Sequence, residues 1–572
     1  MKRLAKYLKG YKKEICLGPL LKLLEASLEL LVPLVVSQII DIGIPAADKG
    51  YILKMALLMV LLGLLGLGCT VLAQYYSAKA SVGFASKLRH SVFEHIQGFD
   101  YRTLDKLGSA TLITRMTGDI NQIQTGLNLA LRLLLRSPFV VFGAMVMAFT
   151  IDVQSALIFA VAIPVLAVVV FGIMLSCIPL YKKVQHALDG VLLTTKENLA
   201  GARVIRAFGR EKAEESRFDG ESKVLLGLQK LVGRISALLN PVTLVLINFA
   251  TLVLIVSGGK GVDSGALTQG QVIALYNYMS QILVELIKLA DLIINITKSV
   301  ACADRVADLL DIPTGEEVTK GLPEGDRSAK VEFKNVSICY GGAGENSLAD
   351  ISFKAMPGES IGIIGGTGSG KSSLVNLIPR FYLATEGSVY IDGEDVRGLD
   401  AAELRGRIGI VPQKAKLFRG TMRENLCFGR EADDKALYKA LKAAQALDVA
   451  EVKGGLDAEI EQDGRNLSGG QRQRLTIARA LVGQPEVLIL DDSASALDFA
   501  TDAALRKALR ELDFKTTVFI VSQRTSSVAH CDKIIVLDDG RAVGIGTHDA
   551  LLDSCEVYRE IYDSQFKKEG AQ

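Results

Sequence analysis

Tryptophan is absent from the 572 residues, and aromatic residues make up only 6% of them. Composition therefore gives no sign of a stacking cage for flat or cationic ligands. Cysteine is scattered: Cys16, Cys69, Cys177, Cys302, Cys339, Cys427, Cys531 and Cys555 form no CxxC pair and no cluster with histidine. This spacing argues against a metal site or a disulfide framework and reads as isolated free thiols. Net charge is also close to missing, at +2, which leaves no argument for nucleic acid or an acidic partner. The basic start "MKRLAKYLKGYKKE" is followed by no short apolar core with a small-residue cleavage site. It reads as a retained, cytoplasmic segment, with no room before the first helix for a peptidase extension.

What is present is segregated. Mean hydropathy is positive, at +0.30, although 22% of residues are charged, and the two coexist only if apolar and charged residues lie in different regions. Apolar windows near 17–40, 52–76, 137–152, 156–178, 236–257 and 270–294 predict six transmembrane helices. Basic residues flank the first pair on both sides: Lys2, Arg3, Lys6, Lys9, Lys12 and Lys13 before it, and Lys79, Lys87, Arg89, Arg102, Lys106 and Arg115 after it. The rule that positive loops stay inside puts both termini in the cytoplasm of a multi-pass protein of the inner or plasma membrane. "TIDVQS" makes a tight hairpin of the third and fourth helices. Segments 78–135 and 180–235 keep helical periodicity, so the helices continue past the bilayer into cytoplasmic elbows.

Ionisable residues punctuate two of these helices. Lys22, Glu25 and Glu29 share one face of the first, and Glu285, Lys288 and Asp291 recur every third residue of the sixth. Charges in apolar helices are costly and face a partner or a cavity. Two readings stay open: ion pairing near the cytoplasmic ends, or Glu25 and Glu29 lining an inward-facing cavity that favours cations.

After about Gly321 the pattern changes to short apolar strands and glycine-rich turns, the mark of a soluble α/β domain. The expected division is a membrane domain over 1–310, a linker over 311–329 and an α/β domain over 330–572. "GESIGIIGGTGSGKSSLVNLI" sets an apolar strand before Gly365, Gly366, Thr367, Gly368, Ser369, Gly370, Lys371, Ser372 and Ser373, with an apolar helix after. This is GxxxxGK[ST] in its strand–loop–helix setting. Backbone N–H groups close around phosphates at a helix N-terminus, Lys371 reaches the β- and γ-phosphates, and the Ser372 hydroxyl is suited to Mg²⁺. "VLILDDSASALD" ends a strand at Asp491, a carboxylate that also suits Mg²⁺.

Taken together these motifs resemble those of ABC transporters, in the form that fuses one membrane domain to one nucleotide-binding domain. "NLSGGQRQRL" contains the LSGGQ signature at Leu467, Ser468, Gly469, Gly470 and Gln471, and "VPQKAKLFRGTMRENL" supplies the Q-loop Gln413. "SALD", ending at Asp498, matches the D-loop, and Tyr340 of "VSICYGG" stands at the adenine-stacking position. The resemblance implies an exporter fold: a six-helix bundle with long cytoplasmic extensions, followed by a P-loop ATPase domain with an α-helical signature subdomain. "FDYRTLDKLGSATLITRMTGDI" (99–120) and "ENLAGARVIRAFGREKAEESRF" (197–218) look like its two intracellular loops, whose short coupling helices press on the nucleotide domains; without the resemblance both read equally as solvated surface helices. The resemblance implies ATP and Mg²⁺ as cofactors, with Gln413 also a Mg²⁺ ligand. It implies amphipathic small molecules, lipids or peptides as cargo in a lipid bilayer, and a second half-transporter as partner.

Two positions depart from that pattern. Asp492 stands where the family usually has a glutamate base, and Gln523 where it usually has histidine. Asp492 is one methylene shorter, which withdraws its carboxylate by roughly 1 Å, and misplacement on that scale costs on the order of 10²-fold in rate. Gln523 donates a hydrogen bond but cannot become cationic. With Asp492, Gln523 and Gln413 as its catalytic set, the site is expected to bind ATP and hydrolyse it slowly, while the intact signature completes the active site of a different partner chain. The alternatives are a homodimeric exporter or lipid flippase with slow ATPase activity, an importer on the same scaffold, and a nucleotide-gated membrane regulator.

Overall fold

The computed structural model describes residues 2–315, 318–319, 321–340 and 346–566. Positions 316, 317 and 320 of the expected linker, Gly341 and Gly342 of "VSICYGG", and the end of the expected α/β domain, 567–572, lie outside the described residues. The chain divides into two compact units: Met1–Gly98 with Leu107–Pro313, and Phe99–Lys106 with Thr314–Gln572.

The first unit is helical: α1 (Lys12–Gln38), α2 (Lys49–Gln97), then, after α3 of the second unit, α4 (Ser109–Thr114), α5 (Ile120–Leu133), α6 (Arg136–Ile151), α7 (Val153–Ala200), α8 (Ala202–Ala207), α9 (Glu211–Ala237), α10 (Leu239–Asp263) and α11 (Gln269–Leu310). Side chains fix where several begin. Asp48 accepts from the N–H groups of Gly50 and Tyr51 at 2.9 and 3.1 Å to start α2, and Asp152 accepts from Ser155 at 2.7 Å to start α7. Thr268 and Gln271 form a reciprocal capping box on α11. Asp41, just beyond α1, also accepts from Thr268 Oγ1 at 2.6 Å and Gly270 N–H at 2.7 Å. One carboxylate thus pins the end of α1 to the start of α11.

At 49 residues, α2 is about 74 Å long at 1.5 Å per residue, more than twice the ~30 Å of a bilayer core. Its first half presents Leu53, Leu57, Leu61 and Leu64 to the surroundings, as suits a lipid-facing helix. Past its middle the buried residues are first small, Ala73, Ser77, Ala80 and Ser81, and then larger, Phe84, Leu88 and Val92; the small ones bring helix backbones close. A Cβ on Gly18 of α1 would stand 2.7 Å from Ser77 Oγ, so a larger residue there would force the serine hydroxyl to turn away. Among the described residues, five stretches are long and apolar enough to cross a membrane: 3–43, 49–97, 109–151, 153–200 and 211–263. Six were expected, and α11 is not among the five. The expected sixth window, 270–294, carries Glu285, Lys288 and Asp291, which lower its apolar character.

The second unit opens with α3 (Tyr101–Leu107), in which Tyr101 stacks on Phe381 at 4.1 Å between ring centroids. Its antiparallel sheet has the order β2-β1-β4-β5, from β1 (Val331–Ile338), β2 (Leu348–Ala355), β4 (Glu386–Ile391) and β5 (Glu394–Asp395). The larger sheet runs β12-β11-β3-β10-β9-β6, from β3 (Ser360–Gly365), β6 (Ile408–Val411), β9 (Val487–Asp491), β10 (Thr517–Val521), β11 (Lys533–Asp538) and β12 (Arg541–Gly546). All its pairings are parallel except that of the edge strand β12. Central strands such as "VLIL" are buried on both faces, which is why they read as unbroken apolar runs. Between the two sheets lies a core of Phe333, Phe353, Ile363, Val375, Ile489 and Phe519. A second core joins β6 and β9 to helices α14 (Met422–Cys427), α15 (Asp434–Ala443), α16 (Leu447–Lys453) and α17 (Gly469–Val482), with the short ribbon β7 (Gly420–Thr421) and β8 (Glu459–Ile460) beside them. The helices α12 (Lys371–Leu377), α13 (Ala401–Gly406), α18 (Phe499–Arg510), α19 (Thr525–Val528), α20 (His548–Ser554) and α21 (Glu556–Phe566) complete the unit.

Candidate functional site

Parallel strands place their carboxyl ends on one edge, and the loops there build the site. The turn from β3 into α12 uses its glycines for different purposes. Gly365 has no room for a side chain, since a Cβ would stand 2.1 Å from the Leu537 carbonyl oxygen of β11. Gly368 and Gly370 have φ of +86° and +93°, the left-handed region that other residues enter only at a cost. Gly366 faces open space.

Lys371, the first residue of α12, folds back over this loop and donates to the Gly365 and Gly366 carbonyl oxygens at 2.9 and 2.5 Å. Burial lowers its pKa, against the raising influence of Asp492 and Asp491. Ser372 Oγ donates to Asp491 Oδ1 at 3.1 Å. Burial pushes the Asp491 carboxyl upward, the Ser372 bond opposes the shift, and the Asp492 charge adds to it.

A cavity of about 320 Å³ collects Thr367, Gly368, Gly370, Lys371, Ser372 and Ser373 with Gln413, Asp491, Asp492 and Gln523. The expected catalytic residues thus share one space with the phosphate loop. Gln413 Nε2 stands 3.4 Å from Asp492 Oδ2, a long contact. Asp492 itself has φ of +47°, and its N–H is held by the Val521 carbonyl at 3.0 Å. Aspartate tolerates this left-handed backbone better than longer side chains. Ser347 and Ser522 line the same cavity and were not legible in the motifs.

Other expected residues lie around it. Gly365, Gly366 and Ser369 touch Lys371 from behind. Tyr340 donates to Ser373 Oγ at 3.1 Å and meets the edge of Tyr382 at 5.1 Å. Tyr382 in turn donates to Asp105 of α3.

The LSGGQ segment is not among the residues lining that cavity. Leu467 is buried, Ser468 and Gly469 are exposed, and Ser468 caps α17 in a reciprocal box with Gln471. Gly470 packs near the Ala496 carbonyl, and Asp498 caps α18 through Thr501 N–H at 2.8 Å.

The donor set suits Mg²⁺: a serine hydroxyl beside a carboxylate, with the Gln413 amide near, supplies hard oxygens, and Mg²⁺ in such sites takes one or two carboxylates and completes its shell from phosphates and water. Ser372, Asp491 and Gln413 would hold the ion, which supplies charge neutralisation to bound phosphates. Lys371 and the loop N–H groups would bind and orient the same phosphates, and Asp492 shares their cavity.

In the first unit, Arg136 at the start of α6 is the centre of a buried charge cluster. Its guanidinium donates to Glu285 Oε1 and to Glu29 Oε2, each at 2.7 Å, and lies 3.9 Å from Glu25. Glu285 also accepts from Lys288 at 2.9 Å and Ser137 at 2.8 Å, and Lys22 pairs with Glu25. Sequence reading missed Arg136, and Asp291 stays exposed outside this group. Beside the cluster lies a cavity of about 500 Å³ lined by Glu29, Asn277, Ser280, Gln281, Glu285 and Lys288 among apolar residues. Glu25 is not part of its wall.

A membrane-crossing helical unit and a P-loop α/β unit with an LSGGQ helix define an ATP-driven membrane transporter. The chain belongs to the ABC transporters, ATPases whose hydrolysis is coupled to transport: residues 15–286 match the ABC transporter transmembrane region and residues 348–495 the ABC transporter ATP-binding family. It is 35% identical over 98% of its length to an uncharacterized ABC transporter ATP-binding protein of Mycobacterium tuberculosis (strain CDC 1551 / Oshkosh), covering 97% of that protein. With the uncharacterized ABC transporter ATP-binding protein YfiB of Bacillus subtilis (strain 168) it shares 34% identity over the whole of both chains. With the same organism's "Putative multidrug export ATP-binding/permease protein YgaD" it shares 32% over 99% of each. The structure of a bacterial Atm1-family ABC exporter with ATP bound superposes with a TM-score of 0.80 over 98% of this chain and 99% of that one, at 24% identity. The fold is therefore that of an ABC exporter.

Proposed function

We propose that the chain is one half of a heterodimeric exporter of amphipathic small molecules, lipids or peptides, with its own ATP site slow and its signature completing the partner's active site. The observation that carries this is that Asp492 and Gln523, the two departures from the usual chemistry, line one cavity together with an intact phosphate loop. Binding groups are kept while base and relay are altered, a combination that suits a lasting ATP clamp; hydrolysis at the other site resets the transporter. The exposed Ser468 and Gly469 are free to face a second subunit. YgaD's association with multidrug export supports export of amphiphiles. In this reading α11 is a sixth span, the termini are cytoplasmic, residues 1–310 and 330–572 are the membrane and nucleotide-binding domains, α14–α17 form the signature subdomain, and α3 and α8 are the coupling helices.

A homodimer with two slow sites is the second reading. It is favoured by the presence of a carboxylate, Asp492, within 3.4 Å of Gln413 Nε2, so a base remains. ATP hydrolysis by the purified chain, alone and with a candidate partner half, separates the two. The expected result is little turnover alone, rising about 10²-fold with Asp492→Glu plus Gln523→His, and full turnover with the partner. Brisk hydrolysis by the unaltered chain alone overturns the heterodimer.

A further inference from the structure

The charge cluster of the first unit is balanced but not saturated, and its half-exposed members, Glu29 and Lys288, line the cavity. Glu29 lies twelve residues into the apolar window that begins at position 17, about 18 Å along the helix and so near the middle of a ~30 Å hydrocarbon core. Polar groups at that depth are expensive and are kept for function. Three cations, Lys22, Arg136 and Lys288, face three carboxylates, Glu25, Glu29 and Glu285. Both oxygens of Glu285 are engaged, by Arg136 and Lys288 on one and Ser137 on the other. Glu29 uses only Oε2, and its side chain is 44% exposed. Lys288 uses one of its three N–H groups and is 46% exposed.

Between them on the wall, Gln281 Oε1 is buried with no hydrogen-bond partner. An unmade hydrogen bond of that kind costs on the order of 1–3 kcal/mol until a donor arrives. The wall therefore offers Glu29 and Gln281 as acceptors and Lys288 as a cationic donor, with Asn277 and Ser280 as further polar groups that can both donate and accept. Val32, Pro33, Val36, Val140 and Val284 supply the apolar remainder.

Resting on the export reading above, we propose that this cavity is a cargo site for zwitterionic amphiphiles that carry a primary ammonium and an anionic group on an apolar body. The ammonium N–H groups satisfy Glu29 and Gln281, and the carboxylate or phosphate meets Lys288. A net cation leaves Lys288 unmatched, and a quaternary ammonium has no N–H to give Gln281. Two sources share this chemistry: an aminophospholipid headgroup and a short apolar peptide with free termini.

The test is equilibrium binding to the full chain in nanodiscs of dodecanoyl lysophosphatidylethanolamine, its phosphocholine counterpart, dodecylamine and trileucine. The lysoethanolamine is expected to bind about 10- to 100-fold tighter than the phosphocholine and than dodecylamine, the range of one charge-assisted hydrogen bond. Glu29→Gln and Lys288→Met should each weaken it by a similar factor. Tight trileucine binding assigns the peptide source, and weak trileucine binding beside tight lysoethanolamine binding assigns the lipid. Equal binding of the ethanolamine and choline forms to the unaltered chain overturns the proposal without relying on any variant. ATP-dependent uptake of a fluorescent dye into inverted vesicles tests the export reading separately: uptake without headgroup selectivity sinks the site alone, and selectivity without uptake of any substrate sinks export alone.

Discussion

Replacing Arg136 by methionine keeps a long side chain at the start of α6 but removes the charge that holds Glu29 and Glu285 together. In the native cluster three cations face three carboxylates; in the variant Lys22 and Lys288 face all three. Arg136 and Glu285 are 8% and 4% exposed, so neither water nor salt screens the excess. Breaking a buried pair and stranding the other charge costs about 3–5 kcal/mol; here the loss should lie toward the low end, because Glu285 keeps Lys288 and Ser137. The Glu29 contact adds little to this, being half-exposed. A second substitution checks the arithmetic: Arg136→Met with Glu285→Gln leaves two cations and two carboxylates, while the glutamine still reaches Ser137 and Lys288. Thermal unfolding of the full chain in nanodiscs should show a large loss for the single variant and recovery of about half or more in the double. Refutation is simple: a single variant as stable as the parent, or a double variant worse than the single, means that charge balance does not hold α1, α6 and α11 together.

Other substitutions probe the ATP-binding unit. The Asp491 carboxyl is raised above the usual 3.8, chiefly by burial, so the folded chain holds that proton more tightly than the unfolded one and loses stability as pH rises through the raised value. Asp491→Asn should therefore raise the melting temperature of the nucleotide-free chain at pH 7. The gain should fade toward pH 4, and the Mg²⁺-dependent stabilisation by ATP should be lost; a lower melting temperature at pH 7 contradicts the burial argument. Tyr382→Phe keeps the ring against Tyr340 but removes the bond to Asp105, at about 1–2 kcal/mol. Hydrogen exchange of residues 99–106 should accelerate several-fold while ATP affinity stays within twofold, and unchanged exchange shows that the hydroxyl does not hold α3.

The phosphate loop was legible because its chemistry is a matter of backbone, and backbone geometry is encoded locally: positive φ at Gly368 and Gly370, and the tight approach at Gly365, leave marks within eight residues. Asp492 and Gln523 were legible as departures from a pattern, and β9 and β10, being parallel neighbours, deliver them to one cavity. Arg136 was missed for the opposite reason. Its partners are 107 and 149 residues away, and it sits one residue before the apolar window that drew attention. A signal was present: Lys22, Glu25, Glu29, Glu285, Lys288 and Asp291 sum to two negative charges, and buried helices call for a cation to match. From the residues alone, without the resemblance, the grouping of 99–106 with the second unit was not legible either, because it depends on Phe381, Tyr382 and Arg405 forming a surface that only the folded α/β unit brings together.

That small helix has a mechanical meaning. Tyr101 stacks on Phe381, Arg405 covers both rings at 5.9 and 5.3 Å, and Tyr382 holds Asp105. Such ring and cation contacts are worth on the order of 0.5–1.5 kcal/mol each, enough in sum to hold α3 on the α/β unit. A glycine stands beyond each of its ends. Gly98 closes α2, and Gly108, at φ of +71° with nothing within 4 Å of where a Cβ would stand, opens the return into α4. Gly98 and Gly108 thus bracket a nine-residue piece, 99–107, whose middle is held fast against the α/β unit.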